Sequence, residues 1–257
     1  MSITLRQICL VANKLQPVLD DLIAVFGLEV CFIDKAVGIF GLENSLLPIG
    51  TNFIEVVSPV KENTAAGRYL ERRGGDGGYM IITQADSAET QAACRARAQK
   101  LGVRVAWEDS HDTGNFMQFH PADTGGAFFE LDWDTKNDHK GNWMPAGGTG
   151  WEKAVHKEIV SDIVAAELQS PDPASLAQRW SAIANIPLKQ ITATCLEMPL
   201  NNAVVRFVEA TDGRGEGLGA IDLKVVKRER LLKVADERNL KISYSQVMIC
   251  GVRFNLI

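Results

Sequence analysis

Two short stretches of this 257-residue chain, Gly50-Thr-Asn-Phe-Ile-Glu55-Val and Gly125-Gly-Ala-Phe-Phe-Glu130-Leu, repeat the pattern G-x-x-F-x-E-x. Each closes a segment with the same order of elements, so the first half reads as an internal duplication. In the first copy, Ile3 to Ala12 alternates like a strand. Leu15, Val18, Leu19, Leu22, Ile23 and Phe26 then recur at helical spacing up to Gly27, a helix stop. Strands are expected over Glu29 to Asp34, Ala36 to Leu47 and Asn52 to Val57. The second copy gives strand Tyr79 to Thr83, helix Ser87 to Leu101 before Gly102, and strands Val103 to Glu108, Asn115 to Phe119 and Ala127 to Trp133.

The polar, glycine-rich run Thr135 to Gly150 reads as a linker. Beyond it the grammar recurs more faintly. Strand Ile159 to Leu168, helix Pro173 to Ala184, and strands Ala193 to Met198 and Ala203 to Glu209 form a third copy. Strand Leu218 to Val226, helix Arg228 to Asn239 and strand Gln246 to Leu256 form a fourth. The expected class is α+β, with four βαβββ modules in two pairs, mixed curved sheets and flanking helices. The expected domains are 1–134, with the candidate site, and 151–257, a degenerate pair, joined by linker 135–150.

Charge and cysteine usage narrow the function. The formal charge of −5 comes from 27 basic and 32 acidic residues spread along the chain, with no basic face or tail for nucleic acid. The five cysteines are scattered and include no C-x-x-C pair, against a disulfide framework or zinc knuckle. No stretch is long and apolar enough to span a bilayer, and the first residues lack a signal-peptide pattern, so a cytoplasmic address is the expectation.

Alternation puts Phe53 and Glu55 on one face of their strand, and Phe128 and Glu130 on one face of theirs. A strand glutamate most often lies on a solvated sheet face. A carboxylate among apolar neighbours is instead paired, hydrogen-bonded or metal-bound, and two at equivalent positions suggest one shared site.

The run F-I-E-V-V-S-P-V-K-E-N-T-A-A-G-R-Y-L, then G-G-Y-M-I-I-T-Q-A-D, then F-H-P-A-D-T-G-G-A-F-F-E-L-D, resembles glyoxalase-like sequences of the vicinal-oxygen-chelate superfamily, the second module being similar to methylmalonyl-coenzyme-A epimerases. The resemblance covers nearly all of residues 3–134. It implies paired modules curved around a divalent metal, with one ligand from the first and one from the last strand of each module. Carried over, those positions are Gln7, Glu55, Tyr79 and Glu130. Gln7 fills a place held by His or Gln, and the glutamates match. Tyr79 departs from the usual His, because a neutral phenol is a poor ligand at neutral pH. The metal set is therefore Gln7, Glu55 and Glu130. The ion could be Mg, Mn, Ni or Zn, with oxygen donors suiting Mg or Mn best. A cup of the same shape holding an organic ligand without metal is the alternative.

The other candidates weigh less. His120 sits in a turn sequence, His111 and His139 in polar loops, His156 ahead of a strand, and none has ligand spacing. Gly74 to Gly78 lacks the Lys-Ser/Thr of a phosphate loop. Lys61, Arg68, Arg72 and Arg73 could meet an anionic substrate arm or simply form a solvated helix face. In the third and fourth copies Arg206 and Asn255 stand where Glu55 and Glu130 would, with first-strand positions near Ala165 and Gly219, so no metal set survives there.

The leading expectation is a metal-dependent lyase, isomerase or epimerase acting on a small carbonyl-containing substrate through an enolate-like intermediate. Glu130 is the first candidate for proton transfer and Glu55 the second. The second expectation is a non-catalytic small-molecule-binding protein with Tyr79, Phe53, Phe128 and Trp133 lining the cup. The third is an assembly scaffold. No nucleic acid or membrane partner is expected, and a homodimer is compatible with all three.

Overall fold

The computed structural model describes residues 2–143 and 147–257. The first module has strand β1 (Ile3–Val11), helix α1 (Leu15–Phe26), a 3₁₀ turn (Lys35–Phe40), β2 (Leu42–Ile49) and β3 (Asn52–Pro59), followed by α2 (Ala65–Arg73). The second has β4 (Gly77–Ala85), α3 (Ala88–Lys100), β5 (Val105–His111), β6 (Gly114–Phe119), the short α4 (Pro121–Thr124) and β7 (Phe128–Asp134). A 3₁₀ turn (Trp151–Ala154) leads to β8 (Val160–Ser170), α5 (Pro173–Ala184), β9 (Lys189–Thr192), β10 (Cys195–Pro199) and β11 (Val204–Glu209). The last module has β12 (Gly217–Val225), α6 (Arg228–Glu237), β13 (Lys241–Ser243), β14 (Gln246–Ile249) and β15 (Val252–Leu256).

The strands form two mixed sheets. One has seven strands in the order β2-β3-β1-β4-β7-β6-β5, and the other eight in the order β13-β14-β15-β12-β8-β11-β10-β9. The expected α+β class with repeated modules is therefore the observed one. In the second, third and fourth modules the first strand runs parallel to the last, as β4–β7, β8–β11 and β12–β15.

Packing groups the modules differently from the sheets. One compact unit comprises Met1–Gln7, Tyr79–Asn142 and Ala165–Leu218, and the other Ile8–Gly78, Trp143–Val164 and Gly219–Ile257. The first unit thus joins the second and third modules. Its core stacks Phe129 of β7 on Trp180 of α5 at 4.5 Å, with Phe207 of β11 edge-on to the indole at 6.2 Å. Trp180 Nε1 donates to Gly125 O at 3.3 Å, and Arg97 of α3 donates through Nε to Ile183 O at 2.8 Å. The second unit joins the first and fourth modules. Phe26 of α1 meets Phe254 of β15 at 5.0 Å, Arg238 pairs with Asp21 at 2.6 Å, and Cys250 Sγ donates to Val11 O at 3.4 Å.

Local chemistry explains the element ends. In α1 the buried residues Val18, Leu19, Leu22, Val25 and Phe26 make one apolar stripe. Gly27 ends it in the left-handed region at φ 69°, where an added Cβ would also stand 2.5 Å from Ile159 Cδ1. Ser87 caps α3 by accepting from Thr90 N at 3.2 Å, and Asp172 caps α5 by accepting from Ser175 N at 3.0 Å.

Three expectations of the sequence are corrected. The strand over Glu29–Asp34 is absent except for a single bridge between Phe32 and Leu46. The strand over 36–47 is divided, because Gly41 at φ 72° ends a 3₁₀ turn before β2 begins. The last strand is a hairpin, with Cys250 (φ 53°) and Gly251 (φ 64°) turning the chain between β14 and β15. The Thr135–Gly150 run, expected as a linker, is held by specific contacts on both sides of Met144–Ala146, which lie outside the described residues. Asp138 accepts from the backbone N–H groups of Lys140, Gly141 and Asn142 at 3.1, 2.8 and 3.1 Å. A Cβ on Gly141 would stand 2.3 Å from Asp138 Oδ2, so only glycine fits that turn.

Candidate functional site

Glu130 lies in the middle of β7, is 7% exposed, and belongs to the first unit. The β4–β7 register sets Ile82 beside Glu130 and Met80 beside Phe128. Neighbouring side chains in register share a sheet face, so Met80, Ile82 and Gln84 stand on the face of Phe128, Glu130 and Asp132. On the other side of β7, Gln118 of β6 is beside Glu130, and Trp107 of β5 is beside Gln118. Helix α3 covers the opposite face, which carries Phe129 and Leu131. Trp133 alternates with Glu130 and falls on that opposite face.

Tyr79 is buried and one residue out of phase with the Met80–Ile82–Gln84 set. Its ring meets Phe128 edge-on, with centroids 5.0 Å apart, at the point where β7 joins the sheet. Gln7, at the end of the first unit's β1 segment, is 5% exposed.

Beside Glu130 the sheet is wedged open by two side chains. Asp132, 1% exposed, accepts the Met117 N–H on Oδ1 at 3.1 Å. Gln91 of α3 donates through Nε2 to Asn115 O at 3.2 Å and Leu131 O at 2.6 Å. Burial, and then the neighbouring Glu130, push the proton affinity of the Asp132 carboxyl well above the usual carboxylate range. One strand face thus carries two buried acids two residues apart.

Arg6 is fully buried on β1 and donates to Gln84 Oε1 at 2.5 Å, Asp138 O at 2.7 Å and Gly141 O at 3.1 Å. Desolvation brings its guanidinium down to about 10, against the opposing pull of Asp138 and Asp134. Gln84 in turn donates to Asp134 Oδ2 at 3.3 Å. Neither Arg6 nor Gln84 was singled out from the sequence. Their signal was a charged and an amide residue inside otherwise aliphatic strands.

In the second unit, Glu55 of β3 is 6% exposed and accepts from Asn44 Nδ2 at 2.6 Å, while Asn44 Oδ1 accepts from Asp34 N at 2.9 Å. Phe53, two residues earlier, is fully buried with its ring edge-on to Trp151 at 4.9 Å. Its surface is given to packing against the 3₁₀ turn that follows Gly150.

The remaining candidates are structural in the contacts shown. His120 caps α4, its Nδ1 accepting from Ala122 N at 3.2 Å. His111 ends β5, 3.2 Å from Asp109 and edge-on to Phe116. His156 meets Glu29 at 2.8 Å beside a shallow cavity of ≈ 480 Å³ that contains none of the expected site residues. In the third module Arg206 sits between Glu197, 3.1 Å from its Nε, and Glu167, 3.5 Å from its Nη1. In the fourth, Asn255 donates to Asp222 Oδ1 at 2.7 Å and accepts from Gln246 at 2.7 Å.

The donors Gln7, Glu55 and Glu130 offer an amide and two carboxylates, which suits a hard divalent ion by chemistry and disfavours zinc. Among the described residues no three His, Cys, Asp or Glu side chains form a cluster able to hold a metal alone. No helix among the described residues is long and apolar enough to cross a membrane.

This duplicated architecture, with a buried glutamate in the closing strand of each of the first two modules, is that of a vicinal-oxygen-chelate protein. The chain belongs to the glyoxalase-like domain family, whose model matches residues 9–184. No curated protein matches it. Among solved structures, a hypothetical protein from Staphylococcus aureus superposes over 100% of this chain and 99% of its own, with a TM-score of 0.63 at 14% identity. A methylmalonyl-CoA epimerase bound to methylmalonyl-CoA covers 54% of this chain and 99% of its own, with a TM-score of 0.46 at 20% identity. The Streptomyces coelicolor epimerase with 2-nitronate-propionyl-CoA covers 52% and 99%, with a TM-score of 0.44 at 22% identity. The likeness to the first of these is one of fold.

Proposed function

We propose that the chain is a glyoxalase-like enzyme, a divalent-metal-dependent lyase, isomerase or epimerase acting on a small carbonyl-containing substrate through an enolate-like intermediate. The observation that carries this reading is the burial of Glu55 and Glu130 at equivalent strand positions, 6% and 7% exposed. A carboxylate buried at such a position has to be held by hydrogen bonds, a counter-charge or a metal ion, and the same requirement arises at both equivalent positions.

A divalent ion, held by Gln7, Glu55 and Glu130, would supply Lewis-acid stabilisation of negative charge on a carbonyl oxygen. The chain's own part is proton movement and exclusion of water. Glu130 is the base that takes a proton from carbon beside the carbonyl, with Glu55 the second candidate. Ile82, Met80 and Phe128, on the same face, keep water from competing.

The test is metal analysis of protein purified without chelator or metal-affinity columns, paired with Glu55→Ala and Glu130→Ala. Stoichiometric divalent metal in the wild type, and loss of the metal-dependent melting shift in both variants, is the expected result. Absence of metal together with unchanged melting in both variants overturns the metal mechanism.

A second reading, a small-molecule-binding protein without catalysis, is supported by Tyr79, at a position where the family resemblance implies an imidazole, and by the edge-on contact of its ring with Phe128. Tyr79→His separates the two. Tighter metal binding in that variant supports the enzyme, and no gain supports the binding protein.

A further inference from the structure

The sheet face that bears Glu130 is unevenly covered. Met80, Ile82, Phe116 and Asp132 on that face are buried. Phe128, Gln118 and Trp107 each keep part of their surface exposed. The register aligns the last two with the carboxylate: Gln118 beside Glu130, then Trp107 beside Gln118. At about 4.8 Å between strands, Glu130 and Trp107 are about 10 Å apart across the sheet, the length of a small ring-bearing molecule. Phe128 lies two residues before Glu130 on the same face, so two partly exposed rings flank an amide and a carboxylate.

We propose that Trp107, Gln118 and Phe128 form the substrate subsite beside Glu130, and that it takes a planar aromatic group attached to the carbonyl-bearing part of the substrate. Three features favour an aromatic over an aliphatic group. An indole and a phenyl ring present π faces that reward flat, polarisable partners beyond simple area burial. The Gln118 amide supplies both a donor and an acceptor for polar atoms between ring and carbonyl. The opposite face of β5, with Ala106, Glu108 and Ser110, is more exposed than the Trp107 face, so Trp107 turns toward the sheltered side of an edge strand. This inference rests on the reading that the Glu130 face is where the substrate is held.

The experiment compares benzoylformate with pyruvate, two 2-oxo acids that differ in phenyl against methyl, by calorimetric titration of the 257-residue protein in the presence of magnesium or manganese. The wild type is expected to bind benzoylformate at least about tenfold more tightly, a typical return for one aromatic stacking partner. Trp107→Leu, which keeps apolar cover but removes the π face, is expected to bring the two within about twofold. Trp107→Phe is expected to retain most of the preference. Equal binding of the two probes by the wild type, binding of neither, or a preference that survives Trp107→Leu overturns the subsite. Glu130→Ala reads the functional proposal separately: it is expected to weaken both probes equally and leave their ratio intact. A ratio that depends on Trp107, with affinities indifferent to Glu130, supports the subsite and removes the carboxylate's role.

Discussion

Gln91 fills a gap that two strands leave open. Its amide takes the carbonyls of Asn115 and Leu131, while Asp132 takes the Met117 N–H, so β6 and β7 are joined there through side chains. Gln91→Ala strands two buried carbonyls and is expected to cost about 2 kcal/mol or more. The measurement is a urea midpoint with the slope unchanged. His139 gives a pH signature. Burial, and then Arg6, hold its imidazole below the usual range. As pH falls through about 6.5 the unfolded chain takes up a proton before the folded one does. Stability contributed by neutral His139 is thus present above that pH and lost below it. His139→Gln is expected to flatten the fall in melting temperature between pH 7.5 and 5.5, and an identical slope in the variant removes this role. Glu55 and Glu130 were legible in the sequence because duplication marks them twice. Arg6, Asp132, Gln118 and Trp107 were not, because each is a single unrepeated residue whose meaning depends on which neighbour the register sets beside it.

At the scale of elements, most helices and strands are legible to within a few residues, since α1 and α5 carry apolar stripes and caps that sequence alone displays. It failed where tertiary context overrides local pattern. Helix α2 buries a stripe of Ala66, Leu70 and Arg73, in which Leu70 is the only large apolar residue, so its sequence signal is weak beyond the Thr64 cap, whose Oγ1 accepts from Gly67 N at 2.9 Å. Edge strands β9 and β13 are short and fully exposed, so they carry no alternation of burial to detect. In the third module Arg206 stands where the family resemblance implies an acid. Glu167, Arg206, Glu197 and Lys189 lie in one row across β8, β11, β10 and β9. Charges alternate along that row, and Arg206 neutralises the two glutamates beside it. Arg206→Met leaves those carboxylates facing each other and is expected to destabilise the protein by about 1–2 kcal/mol, the cost of removing one partner from a half-buried pair. Millimolar magnesium or calcium is expected to restore part of the loss in the variant and to do nothing comparable through this row in the wild type. Thermal melts with and without the ion, and with chelator, decide it; equal shifts in both proteins would show that the guanidinium does not stand in for a cation.

For the whole molecule, the sheets follow the halves of the sequence while the packing crosses between them. Phe129 and Arg97 of the second module rest on Trp180 and Ile183 of the third, and Phe26 and Asp21 of the first rest on Phe254 and Arg238 of the fourth. A hydrophobic core assembled this way is incomplete in either half alone, because each first-half module buries its helix side against a module from the other half. The retained third and fourth modules, which carry none of the duplicated glutamates, therefore have a physical reason to persist. A fragment of residues 1–134, though it contains Gln7, Glu55, Tyr79 and Glu130, is expected to lack a cooperative thermal transition, with its aromatic residues partly solvated. Adding residues 151–257 as a separate chain is expected to restore near-ultraviolet dichroism and cooperative melting. Trp180→Ala tests the same dependence within the intact chain: removing an indole stacked at 4.5 Å on Phe129 is expected to cost ~3–5 kcal/mol. The loss would appear in fluorescence and dichroism signals of both halves at one midpoint. If the 1–134 fragment instead melts cooperatively near the temperature of the full chain, the first two modules form a self-sufficient domain, and the crossing contacts only decorate it.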